Sequence, residues 1–268
     1  MKKGITLITM GQGNVKALKK TMDSFKDVCD EIVYGDMLVF EDDREVLKSY
    51  TQQYNLKVVE LPFNYIFKNG FSSVLNLLAK EATNELVIYM NTSEIIQTDY
   101  GISDTVASFP DCNCFYFDHA TDPHRWYRMY NKNEFEWSGR IHEEIVGNHK
   151  PYHKPIFTMA DLDKDMGNPF KAKVFNDIKE LTYFNQYIAI VDNPKLLGAT
   201  NFGWMGFAKD SYESMKERLT NKGKRYEAFM NDDFTMYMND VMNSPEFEKE
   251  RFESNISIEF QGNKKYLL

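Results

Sequence analysis

The stretch at residues 86–95, LVIYMNTSEI, constrains the fold of this chain more than any other. Five consecutive apolar residues lead directly into the polar residues Asn91, Thr92, Ser93 and Glu94. A short apolar run rich in Val, Ile and Tyr is typical of a strand buried on both faces of a parallel sheet. Ligands of open α/β sheets bind beyond the carboxyl ends of such strands, so NTSE is either a plain strand-ending turn or part of a ligand site.

The first 95 residues alternate between strand and helix patterns. Apolar strand patterns occupy residues 4–10, 30–35 and 56–61, in addition to the one that begins at residue 86. Between them, apolar residues recur at helical spacing over residues 15–25, 42–54 and 69–82. This alternation indicates right-handed crossovers between neighbouring parallel strands. The predicted fold class is therefore α/β, with a doubly wound, mostly parallel sheet that carries helices on both faces.

The pattern changes after residue 99. Short strands are predicted at 112–117 and 126–131, and a turn at 132–134 leads into further strand residues. From residue 170 onward the pattern is helical, with recurring Tyr and Phe. We predict one domain at residues 1–160 and a C-terminal helical region at residues 161–268, which packs on that domain or forms a binding or homo-oligomer surface.

Charge and hydropathy narrow the classes of partner. The 268 residues carry a formal net charge of -8, with a pI near 5.3, which argues against a broad phosphate-binding surface and against nucleic acid as the default partner. No stretch approaches the roughly 18 apolar residues of a membrane helix, and the start lacks the apolar run of a signal peptide. The expected protein has no membrane span and is cytoplasmic.

A second polar cluster lies at residues 138–144, SGRIHEE. An arginine, a histidine and two acids occur there within five residues, next to a glycine. Seen in isolation, such a cluster is either a solvated charged turn or a set of catalytic groups.

Five segments together resemble the catalytic domain of family 2 glycosyltransferases, which have the GT-A fold, and more narrowly a bacterial and phage subgroup with a G-R-I-H-E motif. The segments are EIVYGD at 31–36, KVVELPFN at 57–64, FSSVLN at 71–76, NTSE at 91–94 and GRIHE at 139–143. Together with the first strand pattern, their order and spacing cover roughly residues 4–146, so the resemblance implies that residues 1–160 are a nucleotide-sugar-binding catalytic domain and that the C-terminal helices, where they do not pack on it, form an acceptor or homo-oligomer surface. The resemblance implies inverting transfer of a sugar from a nucleotide sugar, UDP-linked, to a hydroxyl acceptor.

The resemblance also implies roles for individual residues. Asp36 is expected at the nucleotide base or ribose, Asn76 near the nucleotide, and the residues at 91–94 under the diphosphate. The predicted nucleotide-sugar-binding residues are Thr9, Asp36, Asn76, Asn91, Ser93 and Glu94. The predicted catalytic residues are Arg140, His142 and Glu143.

The chemistry of the transfer gives these groups their tasks. The departing diphosphate needs a metal or cationic donors, and a carboxylate must accept the proton of the acceptor hydroxyl. We predict Glu143 as that base. Asn91 and Ser93 replace both aspartates of the family's D-x-D motif, and Leu75 replaces its arginine. Glu94 and His142 are the candidate ligands for Mn²⁺ or Mg²⁺, and the loss of two carboxylates argues against a metal held by the free protein.

Two alternatives stay open beside a glycan acceptor. The Lys, Asn, Tyr and Phe-rich composition resembles that of AT-rich phages, some of which glycosylate hydroxymethylated DNA bases, and a flipped base could enter a small aromatic pocket. The other alternative is a GT-A-like binding module that has lost catalysis, for which the missing aspartates are the evidence. Retention of the whole cluster at 139–144 favours an active enzyme.

Overall fold

A computed structural model describes residues 4–11, 15–37, 41–62, 65–120, 126–139 and 143–162. Its elements in chain order are β1 (Ile5–Gly11), α1 (Val15–Phe25), β2 (Glu31–Asp36), α2 (Glu41–Gln53), β3 (Leu56–Glu60), α3 (Tyr65–Asn69), α4 (Phe71–Glu81), β4 (Leu86–Tyr89), β5 (Glu94–Asp99), α5 (Ile102–Ser108), β6 (Cys114–His119), β7 (Trp126–Asn131), β8 (Phe135–Ser138), β9 (Glu144–Gly147), β10 (Pro151–Tyr152) and β11 (Phe157–Asp161). None of the helices in these ranges has the length and apolar character that a membrane crossing needs.

The chain divides into two compact units. The first comprises Met1–Leu61 and Phe71–Asn168, and the second comprises Pro62–Gly70 and Pro169–Leu268. In the second unit the described residues are Pro62, the short helix α3 and Gly70, which follows the helix. Gly70 has a φ of 83, in the left-handed region. Residues 163–268 lie outside the described residues, so the predicted domain boundary at 160 and the C-terminal helical region stay predictions.

One large sheet organises the first unit. Its strands follow the order β3-β2-β1-β4-β7-β6-β11-β5, and β10 pairs with β6. The first four strands are parallel to one another. Strand β7 is antiparallel to both of its neighbours, and β5 is antiparallel to β11. The predicted α/β class with a mostly parallel sheet is therefore confirmed.

Helices cover both faces of the parallel half. Ile32 and Tyr34 of β2 lie in the same buried cluster as Leu18 of α1 and Leu47 of α2. Gly35, the residue after Tyr34, faces the other way, where a Cβ would lie 3.2 Å from Leu78 of α4. Because successive strand residues point to opposite faces, α1 and α2 lie on one face and α4 on the other. The predicted double winding is confirmed.

Several elements differ from the sequence-based expectation. The helix predicted over 69–82 begins at Phe71, since Gly70 has a positive φ that an α-helix does not contain. The residues expected to extend the meander, at 135–137, instead form β8 in a separate two-stranded sheet with β9. The short elements β5, α5, β9, β10 and β11 were not expected from the sequence.

Candidate active site

The carboxyl ends of β2, β1 and β4 lie side by side at one edge of the sheet. Gly11, the last residue of β1, pairs with Asp36, the last residue of β2. On the other side of β1, Ile8 pairs with Tyr89, the last residue of β4. Since the three strands are parallel, this edge receives Asp36 and the residues that follow Tyr89. We call residues 91–94, which connect β4 to β5, the 91–94 turn.

The 91–94 turn approaches β1 closely. A Cβ on Gly11 would lie 2.8 Å from Cγ2 of Thr92 and 3.1 Å from the hydroxyl of Tyr34. Thr21 of α1 donates its hydroxyl to the carbonyl oxygens of Thr92 at 3.0 Å and Glu94 at 2.9 Å. Glycine at the end of β1 thus gives the turn room, and α1 fixes the turn from one face of the sheet.

Glu94 is buried beneath the turn and bonded through both carboxylate oxygens. Asn91 donates its backbone N–H to Oε2 and its side-chain amide to Oε1, each at 2.7 Å. Arg128 of β7 donates Nη1 to Oε2 at 2.6 Å. Tyr89 donates its hydroxyl to Oδ1 of Asn91 at 2.8 Å, which commits the second amide atom of that residue. The turn is therefore built around an internal ion pair.

Asp36 and Thr9 lie near the carboxyl ends of β2 and β1, at the same edge of the sheet. Asp36 is buried, and its carbonyl accepts a hydrogen bond from the backbone N–H of Leu61. Burial, followed by the negative charges of Asp36 and Asp43, raises the pKa of Tyr34 well above its usual range. Thr9 pairs with Tyr34 across the strands, and its Oγ1 is buried without a hydrogen-bond partner among the described residues. Both predicted residues are therefore buried near this edge of the sheet.

Asn76 uses its whole amide to hold β8 against α4. Its Nδ2 donates to the carbonyl of Trp137 at 2.8 Å, and its Oδ1 accepts the backbone N–H of Trp137 at 2.8 Å. The indole of Trp137 donates to the hydroxyl of Tyr130 and meets the ring of Tyr89 edge-on. The place of Asn76 near the nucleotide stays a prediction. Its contact with β8 links α4 to the strand that precedes the second polar cluster.

The hairpin of β8 and β9 carries the second polar cluster. Ser138 pairs with Glu144, and Gly139 takes a φ of 94 as the chain leaves β8. Burial chiefly, and then the negative charge of Glu143, raise the pKa of Tyr89 above its usual range. Glu143 thus acts electrostatically on the hydroxyl that bonds Asn91. Arg140 and His142 lie outside the described residues, and their predicted roles stay predictions.

The described donors do not fit a site for Mg²⁺ or Mn²⁺. These hard cations prefer charged oxygen ligands with free lone pairs. Glu94 is neutralised by Arg128 and already accepts three hydrogen bonds, while Ser93 offers a neutral hydroxyl. Within the described ranges, no three His, Cys, Asp or Glu side chains are grouped as metal ligands would be. The predicted pair of Glu94 and His142 stays a prediction, because His142 falls outside those ranges.

Sequence reasoning missed Arg128 and Thr21. Arg128 occurs in a strand that is otherwise largely aromatic, WYRMYN, at a position whose neighbours Met129 and Tyr130 are fully buried. A charged residue in such a strand needs a buried partner of opposite charge. The occurrence of Arg128 among aromatic residues could therefore have indicated a buried ion pair. The partner's identity was hidden because Glu94 lies 34 residues earlier in the chain.

Comparison with known proteins gives likenesses of fold alone. No family model matches the sequence, and no curated protein matches it. The chain is similar to the crystal structure of S. aureus TarS 1–349 in complex with UDP-GlcNAc, at 11% identity and a TM-score of 0.43, over 96% of this chain and 94% of that one. It is also similar to GalNAc-T7 with UDP, GalNAc and Mn²⁺, at 12% identity and a TM-score of 0.34, over 56% of this chain and 30% of that one.

A third similar structure is the glycosyltransferase GlyE of Streptococcus pneumoniae TIGR4. The identity is 10% and the TM-score 0.32, over 49% of this chain and 35% of that one. With TM-scores below 0.5, these likenesses bear on neither the substrate nor the catalytic residues of this chain. The described geometry and the sequence motifs therefore carry what is proposed below.

Proposed function

We propose that this chain is a glycosyltransferase that moves a sugar from a UDP-linked donor to a hydroxyl acceptor with inversion. The observation that carries the proposal is the edge where β2, β1 and β4 end, since it brings Asp36 and the 91–94 turn together. Glu143 acts electrostatically on Tyr89, whose hydroxyl bonds Asn91 of that turn. In open α/β sheets this edge is where ligands bind. Two of the five segments that resemble family 2 glycosyltransferases lie at this edge, since EIVYGD is strand β2 and NTSE is the 91–94 turn.

The donor's nucleotide occupies the end of β2 and its diphosphate lies over the 91–94 turn. Asp36 accepts hydrogen bonds from the ribose or the base, with Thr9 beneath it. Ser93 is exposed and Thr92 is half-buried, so hydroxyl groups are available to the phosphate oxygens. Such neutral donors orient a diphosphate without balancing its charge. We assign that balance to Arg140, with His142 beside it, because a guanidinium binds phosphate through paired hydrogen bonds.

Glu143 acts as the general base of a single displacement. The acceptor oxygen forms a bond to the anomeric carbon as the bond from that carbon to the diphosphate oxygen breaks. The hydroxyl proton passes to the Glu143 carboxylate, and the diphosphate leaves with the electron pair of the broken bond. One displacement at one carbon inverts its configuration, which gives the predicted stereochemical outcome.

Asp36→Ala tests the nucleotide site. We expect it to weaken UDP binding by about 10- to 100-fold, since hydrogen bonds to a charged group contribute about 1.5–3 kcal/mol. Calorimetric titration of UDP measures the affinity, and thermal unfolding verifies that the variant is folded. Asp23→Ala is the matched control, because Asp23 lies on the exposed side of α1 in a surface ion pair with Lys19. A folded Asp36→Ala protein with unchanged affinity would refute this placement of the nucleotide.

Metal dependence follows from the donors of the 91–94 turn. Because Glu94 is paired with Arg128, we expect the free protein to bind Mn²⁺ only weakly, with any tighter binding arriving together with the nucleotide. Calorimetric titration of Mn²⁺ into the protein, with and without UDP, measures both cases. Micromolar or tighter binding to the free protein would contradict the expectation. If EDTA leaves donor hydrolysis intact, Arg140→Ala should be among the most damaging changes.

A further inference from the structure

We propose that Arg128 is a positioning residue that holds the 91–94 turn in its donor-binding conformation, acting through Glu94. The inference rests on the proposed function for the identity of the ligand. Its structural part, that an internal ion pair fixes this turn, rests on the described contacts alone. No motif of the glycosyltransferase resemblance includes Arg128, which lies on β7, two strands from β1 in the sheet.

The pair is short, buried and shared between distant segments. Nη1 of Arg128 lies 2.6 Å from Oε2 of Glu94, and the two side chains are 13% and 6% exposed. A buried ion pair of this kind is stable only when its remaining hydrogen-bonding positions are also satisfied. Here Asn91 provides two of those bonds, from its backbone and from its side-chain amide. The turn backbone is thus bonded directly to the carboxylate that Arg128 neutralises.

Two aromatic rings lie within cation–π distance of the guanidinium. Its central carbon lies 5.1 Å from the centre of the Tyr89 ring and 5.8 Å from that of Phe117. A guanidinium is planar and weakly hydrated, so it stacks on aromatic faces where a lysine ammonium would lose hydration. Tyr89 in turn bonds Asn91. Arg128 therefore contacts both side chains that hold Asn91 at the start of the turn, namely Tyr89 and Glu94. Arginine is therefore specifically suited to this position.

The geometry favours an indirect role for Arg128 over a direct contact with the diphosphate. Its side chain is 13% exposed, and its charge is already balanced by Glu94. The ion pair leaves the turn without net charge, so that the turn meets the donor through Thr92 and Ser93. The cation that balances the buried carboxylate of the turn is therefore a side chain of the neighbouring strand β7.

Hydrogen exchange tests the structural part without any nucleotide. In Arg128→Met we expect the amide of Asn91 to exchange at least about tenfold faster than in the wild type, because its carboxylate partner is left buried without a counter-ion. Glu94→Gln should also accelerate it, by a smaller factor. Lys19→Met, which breaks an exposed ion pair on α1, is the control and should leave this amide unchanged. Unchanged exchange in folded Arg128→Met would overturn the inference.

UDP affinity tests whether Arg128 acts through Glu94. We expect Arg128→Met to weaken UDP binding about tenfold or more, and the double variant Glu94→Gln/Arg128→Met to recover part of that loss, since no unpaired charge remains buried. Arg128→Lys should fall between the wild type and Arg128→Met. A double variant as weak as Arg128→Met, or weaker, would mean that Arg128 contacts the nucleotide itself and would overturn the inference.

The two readouts separate this inference from the proposed function. Wild-type protein that binds no UDP would refute the proposed donor, and the inference would then be decided by exchange at Asn91 alone. Normal UDP binding by both the wild type and folded Arg128→Met would refute the inference and leave the proposed function intact. If Arg128→Met does not fold, Arg128→Lys and Glu94→Gln carry the same comparison.

Discussion

Glu143→Gln is expected to lower turnover by about 100- to 10,000-fold, the range contributed by a general base, while the donor's KM changes by less than about threefold. Glutamine retains the size of glutamate and its hydrogen-bonding reach, yet it does not accept the acceptor's proton. The lost interaction belongs to the transition state, in which the hydroxyl is deprotonated, and ground-state binding of the donor does not use it. Steady-state kinetics with a UDP-sugar donor separates kcat from KM.

The neighbouring Glu144 provides the matched control. Glu144 is exposed and begins β9, whereas Glu143 is half-buried and acts electrostatically on Tyr89. Glu144→Gln is therefore expected to leave turnover within about threefold of the wild type. Near-normal turnover in Glu143→Gln, with a large loss in Glu144→Gln, would move the base to Glu144. If neither change matters, Asp118 on β6 becomes the candidate.

The parallel half of the fold could be predicted because its signals are local. Strands such as β1 are buried at every residue, and α1 presents Leu18, Met22 and Phe25 on one face, so that period alone identifies both. The second half depends on pairings between distant segments. Strand β10 has two residues and β9 has four, too few to show a period, and their partners are set by the tertiary fold.

The candidate site divides in the same way. The positions of Asp36 and the 91–94 turn were predictable because each lies at the carboxyl end of a buried parallel strand, the edge where open α/β sheets generally bind ligands. The uses of their side chains were not predictable. The roles predicted for Glu94 and Asn76 in metal and nucleotide binding stay predictions. Nothing in the sequence indicates that Glu94 pairs with Arg128, or that both amide atoms of Asn76 bond the backbone of Trp137.

Arg128→Met is expected to lower the free energy of unfolding by about 3–5 kcal/mol, the usual cost of removing one partner of a buried ion pair. The reason is the unpaired carboxylate of Glu94, which is 6% exposed on its side chain and therefore poorly hydrated. Urea unfolding of each variant measures the change from the shift in midpoint at constant slope. Lys19→Met, in an exposed pair with a side-chain exposure of 42%, should cost no more than about 0.5 kcal/mol.

The double variant separates the contribution of the ion pair to the free energy of unfolding from the cost of leaving one buried charge without its partner. Glu94→Gln leaves a buried guanidinium and Arg128→Met leaves a buried carboxylate, so each single change leaves one buried charge without its partner. In Glu94→Gln/Arg128→Met neither charge remains, and we expect a loss smaller than the sum of the single losses by about 1–3 kcal/mol. Strictly additive losses would show that the two side chains stabilise the protein independently. That result would also remove the physical basis for Arg128 acting on the turn through Glu94.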